Sequence, residues 1–218
     1  MQPTIFGAIV APVAWLLLSL LAQVAPNSAS GQQQVFGCES TFLATDDAKA
    51  LALRFGDAAV AKADIYLGEG FSEAGSVLFG DSSEDRVEIL WSDVVGQRSP
   101  KSIRIRGQRS HWRTRMGISL GDDLRLLERL NRKPFRLAGF GWDYSGTELS
   151  WSGGRLEAAD SAPCVVRARL APEGAVEDQG WYRYRQVMGD REFSSGHPAM
   201  QYLNPRVYEV WLDFKKAS

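Results

Sequence analysis

Apolar positions recur along this chain at two different spacings. Over 45–57, "TDDAKALALRFGD", Ala48, Leu51 and Phe55 fall on one face of a helix. Thr45 can cap its N-terminus, Asp46 and Asp47 suit the positive end of its dipole, and Gly56 supplies a left-handed stop. Three short apolar or alternating runs follow, "VAKADIYLG", "GSVLFG" and "RVEILWSD", separated by Gly, Ser and Asp clusters; they predict an antiparallel meander. The pattern then returns. "GDDLRLLERLNRKPF" (121–135) sets two aspartates ahead of Leu124, Leu127 and Leu130 at helical spacing, with Asn131 available for the left-handed position and Pro134 barring continuation. "FRLAGFGWDY", "GTELSWSGG" and "CVVRARL" read as three more strands.

A third segment opens with the loop-like "APEGAVEDQG". In it "WYRYRQVMG" and "RVYEVWLDF" alternate in the manner of strands, joined by "DREFSSGHPAMQYLNP". The expectation is an α+β fold made of tandem helix-plus-antiparallel-sheet repeats. Residues 31–100 form the first repeat, 101–170 the second and 171–218 a C-terminal strand segment, behind a leader at 1–30. The two Asp-Asp pairs stand the same distance apart as Leu51 and Leu127, which supports the repeat. Chance offers such coincidences in any α+β chain.

The leader changes the picture most. The first thirty residues contain no Asp, Glu, Lys or Arg and carry an apolar run from Ile5 to Val24, broken by Pro12 and followed by "APNSASGQ". Such a run reads as a signal peptide, with Ser28 and Ser30 at the −3 and −1 positions of a cleavage site. It also approaches the roughly 20 residues that span a bilayer, so an N-terminal anchor is the other reading. Either way the rest of the chain is expected to be periplasmic or secreted, with no membrane span after signal cleavage. In an oxidising compartment Cys38 and Cys164 are expected to pair as a disulfide closing a long loop; two buried thiols are the alternative.

Net charge is −1, so no global field draws nucleic acid or a membrane surface. Two histidines and two cysteines offer no metal-ligand spacing, and no dinucleotide or phosphate loop is present, so neither metal nor cofactor is expected.

Candidate chemistry concentrates in "GFGWDYSGTELSWSGG" (139–154). As a strand it would align Phe140, Trp142 and Tyr144 on one face, with Trp151 joining them according to register. That stripe is either core beneath a helix or an exposed platform for a sugar ring or partner protein. "KSIRIRGQRSHWRTR" (101–115) holds one lysine and five arginines without an acid, and Arg104 and Arg106 share the face opposite Ile103 and Ile105. They can grip anionic groups of an envelope polymer, or simply form a solvated face. Ser110 adjoins His111, and Ser194 and Ser195 lie near His197, but a serine–histidine device is defined in space rather than in sequence.

The runs "GISLGDDLRLLERLNRKPFRLAGFGWDYSG", "FGDAAVAKADIYLGEG" and "SVLFGDSSEDRVEILWSD" resemble a family of uncharacterised exported bacterial proteins. The likeness covers most of the mature chain and implies no activity. Relatives of that kind read Asn-Gly where this chain has Asn131-Arg132. The tandem architecture more loosely resembles β-lactamase inhibitor proteins and small outer-membrane assembly lipoproteins, and fold alone does not set function. These readings lead to an exported, non-enzymatic binding protein. It would meet an envelope or extracellular protein or glycan through Trp142, Tyr144, Trp151, Arg104 and Arg106. A cell-wall hydrolase using His197 is the alternative.

Overall fold

In the computed structural model, which describes residues 33–157, 163–173 and 178–215, both expected helices start directly after an Asp-Asp pair. Helix α1 (Ala48–Phe55) is capped by Asp47, whose carboxylate accepts the Ala50 N–H at 2.7 Å; Thr45 plays no part in the cap. Helix α2 (Leu124–Asn131) repeats the device, Asp123 accepting the Leu126 N–H at 2.8 Å. The first aspartate of each pair braces the turn before it, accepting from Leu43 N–H and Ser119 N–H respectively, both at 2.8 Å. Leu51, Leu124 and Leu127 are fully buried, as their helical spacing predicts. The left-handed residue after α2 is Arg132 (φ 64°), not Asn131. Asn131 is wholly buried, and its amide donates to the carbonyls of Lys133 and Trp151.

The strands are β1 (Gln34–Phe36), β2 (Val60–Gly68), β3 (Phe71–Leu78), β4 (Val87–Asp93), β5 (Arg98–Arg106), β6 (Trp112–Thr114), β7 (Arg136–Ala138), β8 (Glu148–Ser150), β9 (Cys164–Ala171), β10 (Glu192–Ser194) and β11 (Arg206–Phe214). Two further helices, α3 (Asp178–Gln186) and α4 (Pro198–Leu203), precede and follow β10. The main sheet is antiparallel, in the order β2-β3-β4-β5-β11-β9; β10-β7-β8 form a smaller antiparallel sheet, and β1 and β6 a parallel pair. This is the α+β class with antiparallel sheets. The strands do not divide into two self-contained helix-plus-sheet units, because β5 crosses the expected boundary at 100/101 and pairs on both sides within one sheet. What recurs is local: Asp47 bridges to Arg98 at the start of β5, and Asp123 to Arg206 at the start of β11.

The C-terminal segment is not made of strands alone. "WYRYRQVMG" alternates in sequence, but Trp181, Tyr184 and Val187 are spaced by three. The helix uses that spacing to stack Trp181 on Tyr184 (centroids 5.7 Å), and Val187, just past its end, is buried.

One face of the main sheet carries Val87, Ile89, Ile103, Ile105, Val210 and Leu212 into the core. Beside it Phe36, Phe42, Phe55 and Trp112 interlock edge-on or tilted at 5.6–6.3 Å. Cys38 and Cys164 form a disulfide, which ties this N-terminal aromatic cluster to the start of β9. Among the described residues no helix is long and apolar enough to cross a membrane.

Candidate functional site

The strand expected over 135–144 stops at Ala138, and the reason lies in where its backbone hydrogen bonds go. Gly139 N–H donates to Arg191 O (2.8 Å), Phe140 N–H to Val187 O (2.9 Å), and Gly189 N–H returns to Phe140 O (3.0 Å). A segment fifty residues later thus takes the place of the hairpin partner. Phe140 is drawn inside, 1% exposed, and stacks on Tyr184 (centroids 5.7 Å, planes 14° apart). The chain then has to turn outward, and its tip carries Trp142 and Tyr144.

Those two side chains are 60% and 72% exposed. Trp151 is not with them. It is 5% exposed and packs on Phe135 at 5.1 Å, so it belongs to the core and not to a contact surface. The expected stripe is therefore divided: Phe140 and Trp151 inside, Trp142 and Tyr144 outside.

Glycine makes this sharp departure possible. A Cβ on Gly139 would lie 2.4 Å from Gly189 O, so only a bare backbone approaches that closely. Gly146 closes the tip at φ +68°, and a Cβ there would meet Leu170 O at 1.9 Å. Gly146→Ala is expected to destabilise the protein by about 3 kcal/mol, summing left-handed strain and overpacking. Urea unfolding followed by far-UV circular dichroism measures this; a change under about 1 kcal/mol would mean the loop repacks freely.

One long-range contact holds the tip. Arg169 donates to Asp143 O (2.9 Å) and Thr147 Oγ1 (3.1 Å) while its guanidinium lies over Trp211 at 5.2 Å. Sharing a proton with the Asp143 side chain raises the pKa of the carboxyl of Glu69, in the β2–β3 turn. The hairpin end brings its own exposed apolar side chains, Tyr66, Leu67 and Phe71. Sequence reasoning passed over these three. The signal was there, in apolar residues crowded around the two-glycine turn of "YLGEGF" where a solvated hairpin end carries polar ones.

The arginines behave differently from one another. Arg104 is 7% exposed and is no surface ligand. Its guanidinium donates to Glu88 Oε2 (2.6 and 2.8 Å) and to Tyr66 O (2.7 Å), and lies 3.0 Å from Glu209 Oε1. Arg104, Glu88 and Glu209 are all buried, so these charges answer one another rather than solvent. Burial is the main reason the Glu209 carboxyl is pushed up, against the pull of Arg104, Arg106 and Arg169. Arg106 is half-buried beside Glu209 and makes no directed hydrogen bond or ion pair among the described residues.

Neither histidine is arranged as a catalytic base toward a serine. His197 caps α4, its Nδ1 accepting Ala199 N–H at 3.1 Å. Ser195 is buried and donates to Glu128 at 2.6 Å, while Ser194 accepts from Gly196 N–H. His111 sits between Asp85 (2.7 Å) and Glu84 (3.1 Å). Among the described residues no group of three or more His, Cys, Asp or Glu is placed to hold a metal ion.

A pocket of about 120 Å³ opens beside the tip, lined by Trp142, Asp143, Tyr144 and Asp190 over the backbone of Gly139 and Gly189. Larger hollows lie elsewhere. One of about 730 Å³ is lined by Arg109, Asp122, Glu173 and Arg206, and another of about 480 Å³ by Lys62, Asp64, Val94 and Val95. In the larger, the carboxylates are already answered, Glu173 by Arg206 at 2.7 Å and Asp122 by Arg113 at 3.4 Å. Compared with family profiles, curated proteins and solved structures, the chain finds no match.

Proposed function

We propose that this is an exported, non-enzymatic binding protein that meets an envelope or extracellular partner through the Trp142–Tyr144 tip. The apolar leader and the Cys38–Cys164 disulfide support an oxidising compartment outside the cytosol. The observation that carries the binding role is the exposure of Trp142 and Tyr144 on a loop pinned at both ends. Side chains of this kind bury large area on a partner and lose little conformational freedom in doing so. Tyr66, Leu67 and Phe71 extend the apolar surface across the Glu69–Asp143 link. A pocket of 120 Å³ is well below the roughly 300–1,000 Å³ of small-molecule sites, so the ligand lies on this surface rather than inside it.

The test is capture from the producing cell's own envelope and medium with tagged protein, against a Trp142→Ala/Tyr144→Ala control. Both side chains are exposed, so the control is expected to keep its unfolding free energy within about 0.5 kcal/mol. Stoichiometric capture of one species, lost in the control, is the expected result. Equal recovery with both proteins would overturn the assignment, and unfolding of the control would show the tip to be structural.

A further inference from the structure

The pocket beside the tip has a chemistry of its own. Two aromatic residues, Trp142 and Tyr144, and two acidic residues, Asp143 and Asp190, are in its lining, and no Lys or Arg is. The indole nitrogen edge of Trp142 lies 3.7 Å from where a Cβ on Gly189 would stand. Asp190 makes no hydrogen bond or ion pair among the described residues. Asp143 is met by a second carboxyl, Glu69, and Arg169 reaches only the Asp143 backbone carbonyl. Arg191, next in sequence to Asp190, is turned onto the Phe193 ring at 5.3 Å. Acidic and aromatic residues therefore share one small space with no cationic residue in its lining. That is the combination that attracts an organic cation.

Size narrows the choice. The volume is close to the roughly 150 Å³ of a cavity that takes one benzene, so it admits the end of a side chain but not a sugar ring or cofactor. We infer that this pocket receives an alkylammonium group, the end of a lysine side chain presented by a partner protein. The inference rests on the proposed binding role of the tip and deepens it: the aromatic surface supplies contact area, and the pocket selects a lysine within it.

The experiment titrates the full mature protein with n-butylammonium chloride, following the Trp142 indole N–H by nuclear magnetic resonance, assigned with Trp142→Phe. Choline and n-butanol are run in parallel. Saturable shifts are expected with butylammonium and not with butanol, weakened about tenfold or more in Asp190→Asn and abolished in Asp190→Lys, which brings its own ammonium into the pocket. Asp190 is exposed and unbonded, so both variants are expected to fold. No saturable shift, an equal response to butanol, or unchanged affinity in both variants would overturn the cation pocket. Tighter binding of choline than of butylammonium would overturn the assignment to lysine. If a partner is captured through Trp142 and Tyr144 while butylammonium fails, only the pocket assignment falls. If butylammonium binds but the control captures as much as the parent, the tip is not the contact surface.

Discussion

Replacing Cys38 and Cys164 by serine is expected to lower the unfolding free energy by about 4–5 kcal/mol. The cysteines are 126 residues apart, and closing a loop of that order in the unfolded chain removes entropy worth about 4.7 kcal/mol in the chain-entropy account. That is a large share of the roughly 5–15 kcal/mol that stabilises an ordinary domain. The native structure adds a local reason. The segment carrying Cys38 is otherwise held by the short parallel β1–β6 pair and by Phe36 and Phe42 on Trp112. Guanidinium unfolding of the double variant, or of the protein under reductant, measures the effect. A loss below about 1 kcal/mol would mean that the reduced unfolded chain keeps its ends together.

Arg104→Met is expected to cost about 3–5 kcal/mol, the range for removing one partner of a buried ion pair. The side chain holds Glu88 at 2.6 Å, Glu209 at 3.0 Å and the Tyr66 carbonyl at 2.7 Å, and methionine answers none of them. Replacing Glu88 by leucine as well is expected to recover part of the loss, because one stranded charge goes with it. Arg104→Lys is expected to fall between, since a single ammonium does not span three acceptors. The pH dependence has a definite sign. Burial already raises the Glu209 carboxyl, and losing Arg104 raises it further. A carboxyl raised on folding binds its proton more tightly in the folded state, so the variant's deficit shrinks as pH falls from about 8 to about 5. A deficit that grew over that interval would show that Glu209 is not the stranded group.

Arg104 also illustrates what a sequence does and does not carry. Its alternation with Ile103 and Ile105 placed it on the second face of the sheet, and that is where it is. Nothing local says that Glu88 stands opposite it and Glu209 diagonal to it, across from Arg106, because that depends on the register of β4 and β11 against β5. The same limit applies at the tip. The helices α1 and α2 and the strands β2 to β4 were legible because their apolar spacing is contained within each segment, although α1 is capped by Asp47 and not Thr45. The break at Ala138 was not, because its cause is hydrogen bonding to residues 187–191. Trp142 and Trp151 look equivalent in composition and neighbourhood, and only the fold separates a solvent-facing ring from one against Phe135. In α3 a true three-residue spacing was hidden beneath an accidental alternation of aromatic and arginine residues. Cys38 and Cys164 needed only the leader and an even count.

The strand that comes last in the chain, β11, lies in the middle of the main sheet, between β5 and β9. Until it arrives, β2 to β5 end in an open edge and β9 has no partner in that sheet. A chain synthesised N-terminus first therefore cannot complete this sheet until β11 has left the ribosome. Its pairings are long in sequence and late in time, the conditions under which folding is slow. Such a topology makes the last strand the keystone: the main sheet stays in two unjoined parts until the end of the chain is free to enter between them.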